Sequence, residues 1–272
     1  MTLSRREASD LLATHGLAPS RALGQNFVVD ANTVRRIASL AEIDANDRVI
    51  EIGAGLGSLT RALLETGAQV LAIEVDRGLI PILRELEADN PGQLRVIEAD
   101  AMKIDWSDVL GEFTDWKLIA NLPYNVATPL VADLLDGVPQ IKSMLVMVQH
   151  EVGERMVAAP RTSAFGALSV KISFWAQARI VGTVSPQVFL PRPKVNSALV
   201  KIDRRTSPAV SADPQRMFTL VRTAFGQRRK MLRRSLAGVV SEEQFLQAGV
   251  ASDARPEELG VEEWGRLCQA LS

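Results

Sequence analysis

Five times between residues 48 and 149 the chain repeats one pattern, a short apolar run followed by a segment with helical spacing or turn residues. The runs span 48–52, 69–74, 94–98, 116–121 and 143–149. Runs this short and continuous suit strands buried on both faces, and the stretches between them are long enough for crossover helices. Such alternation predicts an α/β fold on a mainly parallel sheet. Residues 60–66 read as the first crossover helix, stopped by Gly67. Two further runs, 174–184 and 197–203, are separated by Ser185-Pro186 and Pro191-Arg192-Pro193, and read as an antiparallel pair closing the sheet.

A different pattern takes over after Thr206-Ser207-Pro208. Met217, Leu220, Val221, Ala224 and Phe225 fall at i, i+3, i+4, i+7 and i+8, the spacing of one helix face. Ser241-Glu242-Glu243-Gln244 is a capping box, Gly249 a matching stop, and Val261, Trp264, Leu267 and Cys268 mark a last amphipathic helix. The chain therefore divides into a large domain over 1–206, with an N-terminal arm over 1–30, and a small all-helical domain over 207–272. With 272 residues, 47% of them hydrophobic, it can bury a real core.

Composition removes several classes of function. The single cysteine, Cys268, allows no disulfide framework, and it reads as core packing on a helix face. With two histidines and no Cys/His cluster there is no soft ligand set for zinc; His150-Glu151 is not followed by the second histidine of a metallohydrolase motif. The N-terminus has no apolar stretch, and the run Met144 to Val148 is far too short to span a bilayer. The expectation is a soluble cytoplasmic protein, a monomer with no metal and no membrane partner.

The net charge of −1 conceals an asymmetry. Residues 41–151 carry 8 Lys/Arg against 19 Asp/Glu, whereas residues 190–236 carry 12 against 2. The basic segment is a candidate footprint for a polyanion. Arg228-Arg229-Lys230 and Arg233-Arg234 sit at helical spacing among Met231, Leu232 and Leu236, which predicts a helix with one packed face and one phosphate-tracking face.

The first apolar run leads into Glu51-Ile52-Gly53-Ala54-Gly55-Leu56-Gly57 and then a helix. Glycines there let a ligand approach the backbone at the carboxyl edge of the sheet. Glu74 ends the second run, where a carboxylate can grip a ribose diol, and Asp100 follows the third, so the pocket suits an adenosine. Gly53, Gly55 and Gly57 lack the spacing of a dinucleotide fingerprint. Glu51 would repel a pyrophosphate but suits the cationic amino group of a methionine tail, which favours S-adenosylmethionine over NAD.

The fourth run ends in Asn121-Leu122-Pro123-Tyr124. An exocyclic amine on a base is a poor nucleophile because its lone pair is delocalised into the ring. An amide oxygen from Asn121 and the Leu122 carbonyl can hold its hydrogens, Pro123 stiffens the turn, and Tyr124 offers a stacking face for a flipped base.

These segments together with Leu23-Gly24-Gln25-Asn26-Phe27, residues 188–195 (Val-Phe-Leu-Pro-Arg-Pro-Lys-Val) and Arg255-Pro256-Glu257-Glu258-Leu259 closely resemble the bacterial small-subunit ribosomal RNA adenine N6,N6-dimethyltransferases. The resemblance covers nearly the whole chain. It implies a Rossmann-like methyltransferase sheet with a helical C-terminal domain. It also implies that Asn26, Val28, Gly53, Glu74, Asp100 and Asn121 line the S-adenosylmethionine site, with Glu51 and Gly55 beside them. Tyr124 and Phe189 would hold the target adenine, and Arg192, Lys194, Arg222, Arg228, Arg229, Lys230, Arg233 and Arg234 would contact RNA. The implied reaction transfers two methyl groups to each of two adjacent adenosines of 16S ribosomal RNA in a small-subunit assembly intermediate. Val28 stands where the family usually has leucine, His150 where lysine is common, Asn196 where aspartate is usual, and residues 125–128 depart from the usual hydroxyl-bearing stretch. Two other readings remain: a large-subunit adenine methylase of the antibiotic-resistance kind, disfavoured by Leu122, and a non-catalytic assembly factor, disfavoured by intact Glu74, Asn121 and Tyr124.

Overall fold

The computed structural model describes residues 2–20, 22–123 and 126–271. Its strands are β1 (Phe27–Val28), β2 (Arg48–Ile52), β3 (Gln69–Glu74), β4 (Leu94–Glu98), β5 (Trp116–Asn121), β6 (Ile141–Gln149), β7 (Ala176–Val184), β8 (Phe189–Leu190) and β9 (Ser197–Arg204). Seven of them form one sheet in the order β4-β3-β2-β5-β6-β9-β7, while β1 and β8 pair as a separate antiparallel ribbon. The five repeated apolar runs are β2 to β6, all parallel where they pair. β9 lies antiparallel against β6, with Val146 opposite Val200.

The strand order reverses beside β2: β3 and β4 extend to one side, β5 and β6 to the other. A crevice therefore opens beyond the carboxyl ends of β2 and β5, where open α/β sheets bind ligands. Behind it, Val49, Ala72 and Ile119 pack with Leu63 of the helix Ser58–Leu64 and Leu83 of the helix Ile80–Asp89 in one apolar core. The N-terminal helix Arg5–Thr14 is opened by a Ser4/Glu7 capping box and sets Ala8 and Leu12 against Phe27, Leu56 and Leu79 in a smaller core. Its Arg5 guanidinium donates to the carbonyls of Gln187 and Phe189 at 2.7 and 3.0 Å.

The chain forms two compact units, residues 1–153 with 179–203 and residues 154–178 with 204–272. The second unit is thus built from two stretches of sequence, and a single cut at 206 leaves the first of them, 154–178, with the larger domain. Residues 174 and 175, read from sequence as the start of a strand, end the helix Ala167–Trp175 instead. Phe174 meets Trp175 and Phe218 edge-on, with ring centroids 4.7 and 5.2 Å apart, as part of a core that also buries Phe165, Phe245 and Trp264. That aromatic demand fixes the helix, because a short apolar run carries no periodicity to separate helix from strand.

Candidate active site

Three glycines with positive φ, Gly53, Gly55 and Gly57, carry the chain from β2 into the helix Ser58–Leu64. At Gly55 φ is +61°, and a Cβ there would lie 3.0 Å from the Phe27 ring, so a side chain would be strained and would have to displace that ring. The Gly55 amide donates to Glu74 Oε2 at 2.8 Å, while Glu74 Oε1 accepts from the amides of Val75 and Asp76, both at 2.9 Å. A carboxylate offers about four acceptor positions, so Glu74 keeps one for a ligand hydroxyl. Burial raises its pKa, opposed by those three amides and aided by the Asp76 charge.

A cavity lies over this loop, and its wall includes Asn26, Gly53, Gly55, Glu74, Asp100, Asn121 and Leu122. Asp100, just past β4, accepts from the Met102 amide at 3.0 Å and pairs with Lys103 at 3.5 Å. Val75 and Met102 add exposed apolar surface to the wall. Two carboxylates at the rim, glycine-cleared backbone and apolar walls fit an adenosine group.

Asn121 ends β5 opposite Met147 of β6. Its Nδ2 donates to the Asn26 carbonyl at 2.9 Å, and Oδ1 accepts no hydrogen bond among the described residues. The Leu122 amide is tied to the Met147 carbonyl at 3.1 Å, and the Leu122 carbonyl accepts no hydrogen bond among the described residues. Two acceptors thus stand in adjacent positions at the cavity. Tyr124, assigned a stacking role from sequence, lies outside the described residues.

Three other residues assigned from sequence lie off this wall. Glu51 is not on the cavity wall: it is buried, beside Thr60 of the first crossover helix, and Oε2 has no hydrogen-bond partner. Burial pushes its pKa up to about 8; Thr60 lowers it, approaching the carboxyl without completing a hydrogen bond to Oε2, and the Glu74 charge raises it. Val28 and Phe189 face each other across the β1–β8 ribbon, both buried in the main core, Phe189 to 1% exposure. Neither lines the cavity, because pairing the ribbon turns both side chains inward.

The basic segment is broken rather than continuous. The helix Pro214–Phe225 ends at Gly226, residues 226–230 form turns, and a new short helix, Leu232–Ser235, starts after an extended Met231. Leu232 and Leu236 bury themselves in the core of the second unit, and this anchor breaks the predicted helix. Arg229, Lys230, Arg233 and Arg234 remain exposed and make no ion pair among the described residues. Arg228 differs: it donates to the Ser163 carbonyl at 2.8 Å and approaches Glu257 at 3.7 Å. Arg222 is exposed and donates to Thr219 Oγ1 at 3.1 Å; Arg192 and Lys194 are exposed in the first unit. The His150 amide donates to the Asn196 carbonyl at 3.0 Å, a bond indifferent to side chain.

Residues 19–272 match the family model described as ribosomal RNA adenine dimethylase. The chain belongs to this family. A ribosomal RNA small subunit methyltransferase A of Cutibacterium acnes is 46% identical over 271 residues, covering 94% of this chain and 90% of that protein. Its namesake in Clostridium perfringens is 38% identical, covering 97% and 95%. Among solved structures, the 23S rRNA methyltransferase ErmE is similar with a TM-score of 0.68 and 28% identity, over 90% of this chain and 99% of that one. A dimethyladenosine transferase from Plasmodium falciparum shares the fold, with a TM-score of 0.72 at 24% identity over 88% and 94%. The small-subunit relatives match at higher identity than the 23S enzyme, against the large-subunit reading.

Proposed function

We propose that the chain transfers methyl groups from S-adenosylmethionine to N6 of two adjacent adenosines in small-subunit ribosomal RNA, two to each, within an assembly intermediate. When bound, S-adenosylmethionine supplies an electrophilic methyl on a sulfonium. Glu74 and Asp100 would hold its adenosine part, with the Gly53–Gly55 backbone leaving room beneath. The observation that carries the reading is that Asn121, its Nδ2 engaged by the Asn26 carbonyl, lines the cavity together with Leu122.

Asn121 Oδ1 and the Leu122 carbonyl would each accept one hydrogen of the adenine amine. Both bonds draw density toward nitrogen and favour the pyramidal geometry in which its lone pair can attack in line. No covalent enzyme intermediate is needed. Forming the N–CH₃ bond would break the sulfonium S–CH₃ bond, leaving a neutral thioether, and the methylated nitrogen would lose one proton to water; one hydrogen then remains, so one acceptor loses its partner and the methyl group must turn into free space. Stacking on Tyr124 would keep the base oriented meanwhile, at about 1–3 kcal/mol per stacked base.

The exposed cations Arg229, Lys230, Arg233 and Arg234, with Arg192, Lys194 and Arg222, support RNA phosphate contact, and Arg228 is a structural member of that group. Among the described residues no helix is long and apolar enough to cross a membrane, and no three His, Cys, Asp or Glu side chains cluster to hold a metal. The reading includes action in the cytoplasm as a monomer. Incubation with methyl-labelled S-adenosylmethionine and unmodified small subunits, followed by mass spectrometry of digested RNA, tests it. N6,N6-dimethyladenosine at two neighbouring positions is the expected product; a product that stops at N6-monomethyladenosine, or label on large-subunit RNA alone, overturns it.

A further inference from the structure

The hydrogen bond that orients Asn121 depends on where residue 26 is held, and residues 22–26 have no helix or strand to hold them. What ties this arm down is the side chain of Gln25. Its Nε2 donates to Asp76 Oδ2 at 2.6 Å, and its Oε1 accepts from the Ser20 amide at 2.7 Å. The Gln25 amide also donates to the Ser20 carbonyl at 3.1 Å. Asp76 is fixed in turn, since its Oδ1 accepts from the Gly78 amide and its own amide donates to Glu74 Oε1, both at 2.9 Å.

An unbroken chain of hydrogen bonds therefore runs from the carboxylate at the end of β3, through Asp76 and Gln25, into the arm. The next residue of that arm supplies the carbonyl to which Asn121 is bound. Residue 25 must donate on one side and accept on the other. An uncharged amide does both at once; a carboxylate cannot donate, and an aliphatic side chain does neither.

We propose that Gln25 is a positioning residue for methyl transfer: by latching the arm to Asp76 it holds the Asn26 carbonyl where that carbonyl fixes the Asn121 amide. This rests on the role of Asn121 given above. Loss of the latch lets the arm shift, and Asn121 can then rotate and present its NH₂ to the amine in place of Oδ1. Glu74 and Asp100 stay in place.

The test uses the full chain with Gln25→Glu and the double variant Gln25→Glu/Asp76→Asn. In the single variant two carboxylates face each other and repel. In the double variant donor and acceptor exchange sides: the amide introduced at 76 donates to the carboxylate introduced at 25, which still accepts from the Ser20 amide. At saturating S-adenosylmethionine and small subunits, the single variant loses at least about tenfold in kcat, in keeping with the up to about 10²-fold cost of a misplaced catalytic group. Its KM for the small subunit stays within about threefold, and the double variant recovers to within about threefold of wild type in kcat. Amide hydrogen exchange over residues 17–26 rises in the single variant and returns in the double. A single variant with wild-type kcat overturns the latch, as does a double variant that stays slow while melting at the wild-type temperature. Wild-type protein that transfers no methyl group to adenine overturns the underlying reading instead, and the exchange measurement then reports on the arm by itself.

Discussion

The cavity edge of the first unit and the basic turn of the second treat charge in opposite ways. At the cavity, Glu74 accepts three backbone amides, Asp76 is shared between Gln25 and Gly78, and Asn121 is held by a carbonyl. On the turn, Arg229, Lys230, Arg233 and Arg234 stand exposed without ion pairs among the described residues. Fixed dipoles in a low-dielectric site act with no reorganisation at the moment of reaction, which is what bond-making requires. Free cations on flexible stems suit a polymer whose phosphates must be found and released, at a strength set by salt. One region should therefore respond to substitution in kcat and the other in salt dependence.

The largest expected effect is at Asn121. Asn121→Ala removes an acceptor used in the transition state and should cost about 10³-fold or more in transfer, roughly 4 kcal/mol. Binding of S-adenosylmethionine, measured by calorimetry, should weaken but persist, because Gly53, Glu74 and Asp100 are untouched. Near-normal turnover would remove the distinction between the two regions.

Phe189 comes next, through stability. It is buried to 1% exposure against Val28 in the main core, so Phe189→Ala should cost about 3–5 kcal/mol by denaturant unfolding. A loss below about 1 kcal/mol would mean that the ring spends its time outside the core, in the stacking role suggested by resemblance. The product ratio of the same variant, monomethyl against dimethyl, separates the two roles only after stability has been matched with temperature.

Glu51 gives a pH signature. Its folded pKa of about 8 lies above the ordinary 4.5, so folding takes up a proton between those values. The stabilising protonation is fully present below about 4.5 and is lost as pH rises through about 8. Stability should fall by up to about 1.4 kcal/mol per pH unit across that window, and Glu51→Gln should flatten the slope. An identical slope in the variant would show that Glu51 is ionised in the fold, as a direct partner for a cationic amino group would need.

Legibility in the sequence follows the same division. Strands β2 to β5 match the apolar runs to the residue, because burial on both faces leaves an uninterrupted signal and turn residues mark its ends. Asn26, Glu74, Asp100 and Asn121 converge on one cavity because strand ends and glycine turns mark the carboxyl edge. Contacts between segments distant in sequence are not legible. Phe174 is helical because Phe218 and Trp175 claim its ring, the run at 228–234 breaks because Leu232 and Leu236 are anchored, and Phe189 is turned inward by pairing with Val28. Gln25 carries a signal only as part of a motif; its latch depends on Asp76, 51 residues away.

Replacing Arg229, Lys230, Arg233 and Arg234 together with glutamine should weaken RNA binding and reduce the log–log salt slope by about 0.7–0.9 for each phosphate no longer neutralised. Maximal kcat at saturating substrate should change little. An unchanged slope would mean that these side chains form a solvated surface and that the phosphates are held elsewhere.

The smallest effect sharpens the comparison inside the basic cluster itself. Arg228 and Arg229 are neighbours in sequence, yet Arg228 is engaged, with the Ser163 carbonyl at 2.8 Å and Glu257 at 3.7 Å, while Arg229 makes no ion pair among the described residues. Both partners belong to the second unit, and the Glu257 Oε2 atom is buried with no hydrogen bond of its own. Arg228→Gln should therefore cost stability, about 0.5–1 kcal/mol after allowing for the partly exposed side chain, and leave the salt slope unchanged. Arg229→Gln should do the reverse: no shift in unfolding midpoint and a slope smaller by the share of a single phosphate. The two single variants share charge, composition and neighbourhood, so any difference between them comes from the partner each side chain has in the fold. Equal slopes and equal midpoints would mean that Arg228 leaves its partners when RNA binds, and that the whole cluster acts as one surface.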